Sequence, residues 1–88
     1  MDLYNAARNG NLARVTLLVE QGADKNQVGG DTLWMETVLS TAAHQGHLDV
    51  VRYLVEQGAD MEKCDSTGWT PLFYASAHGH LDVVRYLL

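Results

Sequence analysis

One cysteine in 88 residues leaves no internal disulfide, so whatever holds this chain together is not a covalent staple. Cys64 sits among Glu62, Lys63 and Asp65, in turn-forming company, and reads as an ordinary exposed loop residue. The single cysteine, and an N-terminus without a secretory signal, lead us to expect a reduced intracellular protein, cytoplasmic with the nucleus left open. Positive charge is also scarce. Six Lys and Arg face eleven Asp and Glu, a formal net charge of -5, and the basic residues are scattered with no cluster of three. Nucleic acid demands a basic stripe and an anionic membrane surface demands a basic patch, so neither is expected as a partner. No apolar run approaches the roughly 18 residues of a membrane-spanning helix, so no membrane insertion is expected.

Groupings that carry covalent chemistry are missing too. Ser40, Ser66 and Ser76 lack a strand-to-helix elbow, and no serine, histidine and acid fall at a recognisable spacing. Gly29-Gly30 is not followed by Gly-Lys-Ser/Thr, so it is no phosphate loop. His44 and His47 are separated by Gly46, a helix breaker, and no Cys or carboxylate joins His44, His47, His78 and His80 in a metal-ligand spacing. Asp60 and Glu62 belong to a turn, where carboxylates are ordinarily solvated. We therefore expect no enzyme activity, no metal and no cofactor.

What the chain does contain is itself, twice. Gly46-His-Leu-Asp-Val-Val-Arg-Tyr-Leu-Val55 returns 33 residues later as Gly79-His-Leu-Asp-Val-Val-Arg-Tyr-Leu-Leu88, with nine of ten positions identical. Val-Glu-Gln-Gly-Ala-Asp occurs at Val19 to Asp24 and, 36 residues on, at Val55 to Asp60. A period near 33 marks a repeat architecture, whose units cannot bury their own apolar faces and must stack on neighbours. A chain of this size makes one small domain, burying about 60–65% of its unfolded surface. Its 47% hydrophobic content argues against disorder.

Each unit reads as helix, tight turn at glycine, helix, glycine stop and extended turn. Gly10, Gly46 and Gly79 follow short helix-forming stretches carrying small residues at matching places: Ala6 and Ala7, Ala42 and Ala43, Ala75 and Ser76. Such residues let one helix lie close against the next unit. Leu48, Val51, Leu54 and Val55 then share one helical face, ended by Gly58 at C′, and Leu12, Val15, Leu18 and Val19 before Gly22 repeat it. Leu81, Val84, Leu87 and Leu88 begin it again. Thr70-Pro71 gives the clearest helix start, a hydroxyl at the N-cap and a proline at N1. Asp65-Ser-Thr-Gly68 before it is turn chemistry.

Taken together these residues resemble the ankyrin repeat. The family pattern is matched by Asp65-Ser-Thr-Gly68-Trp-Thr70-Pro71-Leu72-Phe73-Tyr-Ala75-Ser-Ala-His-Gly79-His80, with Gly58-Ala59-Asp60 as the unit-ending signature. The resemblance covers essentially the whole chain. It implies an all-α solenoid of stacked helix-turn-helix units joined by extended β-type turns. About 2.5–3 repeats in a single domain over 1–88 would run approximately 1–26, 27–63 and 64–88, the last incomplete. Departures are informative. Phe73 stands where the family has a histidine that ties the turn, and can only pack. The middle unit reads Thr37-Val-Leu-Ser40 in place of Thr-Pro-Leu-His and carries three extra residues ahead of Thr37. Gln27 to Glu36 therefore forms either an added helical turn capped at Asp31 or Thr32, or a longer glycine-rich loop with Leu33 and Trp34 packed back.

The resemblance further implies non-catalytic protein–protein recognition through turn tips and the inner face of each first helix. Carried over position by position, the candidate partner-binding residues are Arg8 and Asn9, then Leu33, Trp34, Glu36, His44 and Gln45, then Ser66, Thr67, Trp69, Ala77 and His78. Trp69 falls at an outward-directed, variable family position, and tryptophan is over-represented among binding hot spots. Both Trp34 and Trp69 have the alternative of packing over the turns. Leu88 falls inside a second helix, ahead of any Gly-Ala-Asp, so Val83, Val84, Tyr86, Leu87 and Leu88 are expected to be uncovered. That suggests a fragment of a longer array, and a second possible role: a homo-oligomer formed through the C-terminal helix.

Overall fold

A computed structural model describes residues 2–24 and 37–88; the segment Gln27 to Glu36, with its two alternatives, lies outside the described residues. Six helices are described: α1 (Leu3–Arg8), α2 (Leu12–Glu20), α3 (Val38–His44), α4 (Leu48–Glu56), α5 (Pro71–Ala77) and α6 (Leu81–Leu87). Their starts follow from local chemistry. Asp2, Thr37 and Thr70 accept from the backbone N–H three residues on, at 2.8, 3.0 and 3.3 Å. Each satisfies an orphan donor of a short first helix. Counting back from the glycine turn, Asp2 stands one residue nearer than Thr37 or Thr70, and α1 is one residue shorter than α3 and α5.

Second helices start in two ways. Asn11 caps α2 by accepting from the Arg14 N–H at 3.1 Å. His47 and His80 hold the same place before α4 and α6 but give no side-chain cap. Their rings are used elsewhere. The His47 Nε2–H donates to the Arg8 carbonyl at 3.0 Å, and the His80 Nε2–H to the His44 carbonyl at 2.9 Å. Each imidazole thus reaches back to the C-terminal end of the previous unit's first helix. In place of the missing cap, Asp49 and Asp82 accept from the next backbone N–H at 2.7 and 2.8 Å. Their charge also suits a helix N-terminus.

The units stack as two layers, α1, α3 and α5 in one and α2, α4 and α6 in the other. Ala6, Ala42 and Ala75 are fully buried along the first layer, as are Ala7 and Ala43. Side chains no larger than a methyl group are what permit this approach. Val15, Val50, Val51 and Leu54 fill the space between layers with no measurable exposure. Burying a leucine of this kind contributes about 1.5–3 kcal/mol.

At the C-terminal edge the expectation needs one correction. Val83 is not uncovered: its exposure is 0%, because it repeats the position of Val50 and turns inward onto the core. Val84, Tyr86 and Leu87 are half-buried, although Val51 and Leu54, the counterparts of Val84 and Leu87, are completely buried. Open apolar surface at this edge is concentrated at Leu88 and at Leu81, which are 86% and 70% exposed. Ser76 is exposed where its counterparts Ala7 and Ala43 are buried.

The glycine turns carry the stacking. Gly46 and Gly79 have nearly the same left-handed φ, +77° and +72°. A Cβ added at Gly46 would lie 2.6 Å from Nδ1 of His80, whereas one at Gly79 would meet nothing within 4 Å. Alanine at either site incurs the left-handed strain of about 1–2 kcal/mol. Gly46→Ala must also unseat the ring, an overpacking cost of about 1–3 kcal/mol. Urea denaturation should therefore show Gly46→Ala to be the more damaging change by at least about 1 kcal/mol. Equal losses would mean that the imidazole seat contributes nothing measurable.

Candidate functional site

The best-defined exposed feature is built on the turn before α5. Asp65 is almost fully buried and acts as its hub. Its Oδ1 accepts from the Thr67 N–H at 2.9 Å, the Thr67 hydroxyl at 2.6 Å and the Trp69 N–H at 3.0 Å. Its Oδ2 accepts from the Tyr74 hydroxyl. The Asp65 N–H donates to the Trp69 carbonyl at 3.0 Å, and the Gly68 N–H to the Asp65 carbonyl at 3.0 Å, closing the loop. Burial pushes the Asp65 pKa up, but the bonds from Thr67, Tyr74 and Trp69 outweigh it and hold the pKa below the ordinary aspartate value of 3.8.

This frame fixes a chain of rings. Trp69 lies 4.3 Å from Phe73 between centroids, tilted by 42°, and 5.2 Å from Tyr74. Tyr74 stacks on His44 of the preceding unit at 4.8 Å, and His44 stacks on His78 at 4.3 Å. His78 lies 6.3 Å from His80, the ring seated against Gly46. Trp69 is 38% and Phe73 47% exposed, His78 is open and His44 half-buried, whereas Tyr74 is buried beneath them. The band therefore leaves Trp69 and Phe73 on one side of a buried tyrosine, and His78 on the other, open to solvent.

In the other layer lies a groove of about 270 Å³ lined by Leu48, Arg52, Asp82, Arg85 and Tyr86. There the Arg52 guanidinium already sits 5.5 Å above the Tyr86 ring. No group of three or more His, Cys, Asp or Glu is placed to hold a metal ion among the described residues. The Nε2 atoms of His47 and His80 are engaged by backbone carbonyls. Among the same residues, no helix is long and apolar enough to cross a membrane.

Helix pairs in register, imidazoles locked onto the glycines of preceding units and the hydrogen-bonded turn before Thr70 form one pattern. The ankyrin family model, in three copies, matches residues 3–88. The chain belongs to the ankyrin repeat family. No curated protein matches it at a significant level. Ankyrin repeats are generally protein–protein interaction modules and generally non-catalytic.

Within this ankyrin stack, the candidate residues fall into three groups. Ser66, Thr67 and Trp69 are exposed on the Asp65 turn, and Ala77 and His78 at the far end of α5. The ring chain joins Trp69 to His78 by way of Tyr74 and the half-buried His44, and Gln45 is exposed beside His44. Arg8 and Asn9 are exposed at the end of α1, but no ring contact links them to the band. Leu33, Trp34 and Glu36 lie outside the described residues.

Sequence reasoning missed Phe73 and Tyr74 as parts of this surface. Phe73 packs, as expected of it, but it packs on Trp69 and stays nearly half exposed. The signal was present: Trp69 and Phe73, and Tyr74 and His78, are four residues apart.

Asp65 gives this surface a pH signature. Its folded pKa is depressed, so its stabilising contribution is complete above the unfolded value of about 3.9 and is lost as pH falls through the folded value. Removing the hub with Asp65→Ala should cost roughly 2–3 kcal/mol at neutral pH. Asp65→Asn should flatten the acid limb of the stability profile below about pH 4. Unchanged acid sensitivity in Asp65→Asn, followed by circular dichroism, would place the titrating group elsewhere.

Proposed function

We propose that this chain is a non-catalytic recognition module, gripping a partner protein through its turn tips and the exposed side of its first helices. The supporting observation is the band at Trp69, Phe73, His44 and His78, where Trp69 stands on a turn already hydrogen-bonded into shape and Phe73 and His78 stand open on and beside α5. A prearranged surface loses little conformational entropy on binding, which favours affinity. His44, Gln45, Ser66, Thr67, Trp69, Ala77 and His78 form its core, with Arg8 and Asn9 as an outlying contact; the exposed Cys64 thiol suits a reducing, intracellular setting.

Trp69→Ala should weaken a captured partner by about 2 kcal/mol or more, as central tryptophans do, and leave the helical circular dichroism signal intact. Binding and helicity lost together would remove the contact role.

A second reading, association of this chain with itself, is favoured by the open apolar positions Leu81 and Leu88. The histidine position of the first unit holds Asn11, whose side chain caps its own helix. A copy stacking head to tail would therefore bring no imidazole to Gly79, and cohesion would rest on Leu81, Val84, Leu87 and Leu88. Light scattering during size exclusion should then show mass rising with concentration, and Leu81→Glu should abolish the rise. A monomer at every concentration defeats this reading.

A further inference from the structure

We propose that the ring band of Trp69, Phe73, Tyr74, His44 and His78 docks an extended, arginine-bearing segment of the partner, with one guanidinium laid over the Trp69–Phe73 pair. The inference rests on the recognition reading above and names the chemistry of what is recognised.

Three observations carry it. The first is the shape of the open surface. Trp69 and Phe73, tilted by 42° at 4.3 Å, stand together 38% and 47% exposed, and the open His78, stacked on His44, lies on the far side of buried Tyr74. Planar cations are attracted to ring faces, and arginine, being planar and weakly hydrated, stacks there better than lysine. Successive side chains on one side of an extended strand are roughly 7 Å apart, so a second arginine one or two residues from the first reaches further along the band.

The second is a buried charge beside the rings. Asp65 is buried in the turn that carries Trp69, and its carboxylate accepts hydrogen bonds from the Trp69 N–H and the Tyr74 hydroxyl. The phenol it bonds belongs to the ring that touches Trp69, and a negative centre in the same turn attracts a cation held over Trp69.

The third is the charge of the whole molecule. The chain carries -5, and the stretch leading into the band holds Asp60, Glu62 and Asp65 against the single Lys63. A basic segment is drawn in and an acidic one repelled. The protein also makes the proposed contact internally, where Arg52 lies over Tyr86.

The test uses the full chain and short fluorescent peptides: an arginine–glycine–serine repeat, the lysine version of equal charge, a glutamate version and a proline-rich neutral version. Anisotropy should show the arginine peptide binding about five-fold or more tighter than the lysine peptide, and the glutamate peptide not binding. Trp69→Ala and the less buried Phe73→Ala should each weaken the arginine peptide about ten-fold, with unchanged circular dichroism. Trp69→Tyr should retain most of the affinity. Equal binding of the arginine and lysine peptides, or binding indifferent to both ring variants, overturns the inference.

An unbiased peptide selection separates its failure from that of the recognition reading. Enrichment of arginine motifs that require Trp69 supports both. Enrichment of proline-rich or other motifs that require Trp69 overturns the arginine assignment and leaves recognition standing. Selected peptides indifferent to Trp69 and Phe73 overturn both.

Discussion

An imidazole ring resting on a glycine Cα sets the separation between one unit and the next. His47 fills the space that a side chain at Gly10 would need, and His80 fills the same space over Gly46. Each ring then donates to the carbonyl at the end of the first helix it touches. A larger residue at the glycine would push the units apart, and a residue other than histidine would leave that carbonyl without its donor. Alanines at 6, 7, 42 and 43 are the consequence along the helices, since only short side chains fit the spacing that the seat imposes. A further consequence reaches the second helices. A histidine committed to the previous unit cannot cap its own helix, so the duty passes to Asp49 and Asp82. Asn11, with no unit before it among the described residues, keeps the cap for itself.

The same spacing governs the ring band. His44 belongs to the middle unit and Tyr74 and His78 to the third, and they stack because the two first helices are held close enough for rings to meet across the junction. Asp65 supplies the remaining constraint. It ties the turn to itself and to the Tyr74 phenol, so Trp69 projects from a position with little freedom to retreat. Counterparts of Phe73 in the earlier units, Tyr4 and Ser40, are buried, whereas Phe73 is nearly half exposed. The third unit alone among the described ones therefore turns a bulky ring outward at this position.

What the sequence made legible was whatever local chemistry decides. Thr70 as a cap, Pro71 at N1 and Gly58 as a stop all act within one turn of chain and stand as expected, as does the period of the units. Two features escaped for one physical reason: they depend on contacts between units. Val83 looked free because the end of α6 was judged as a whole, yet its own face turns onto the core as Val50 does. Of the ring chain only Trp69 with Phe73 is a contact between residues four apart; His44, which joins Tyr74 to His78, reaches both from the preceding unit. Asp65 lay between. Its turn was evident from Asp65-Ser-Thr-Gly68, but the phenol that reaches it comes from the following helix.

The duplicated Gly-His-Leu-Asp-Val-Val-Arg-Tyr-Leu segment cannot be where specificity resides, because its side chains are largely consumed by the fold. In the middle copy His47 bonds the previous unit, Asp49 accepts from a backbone N–H of the helix's first turn, and Val50, Val51 and Leu54 are core. A change at any of these is felt first as lost stability. Ser66 and Trp69 sit beside the repeated frame: their exposure means that substitution changes what the surface offers before it changes what holds it. Identity between the copies thus measures structural commitment, and the freedom to differ marks the places where a partner can be read.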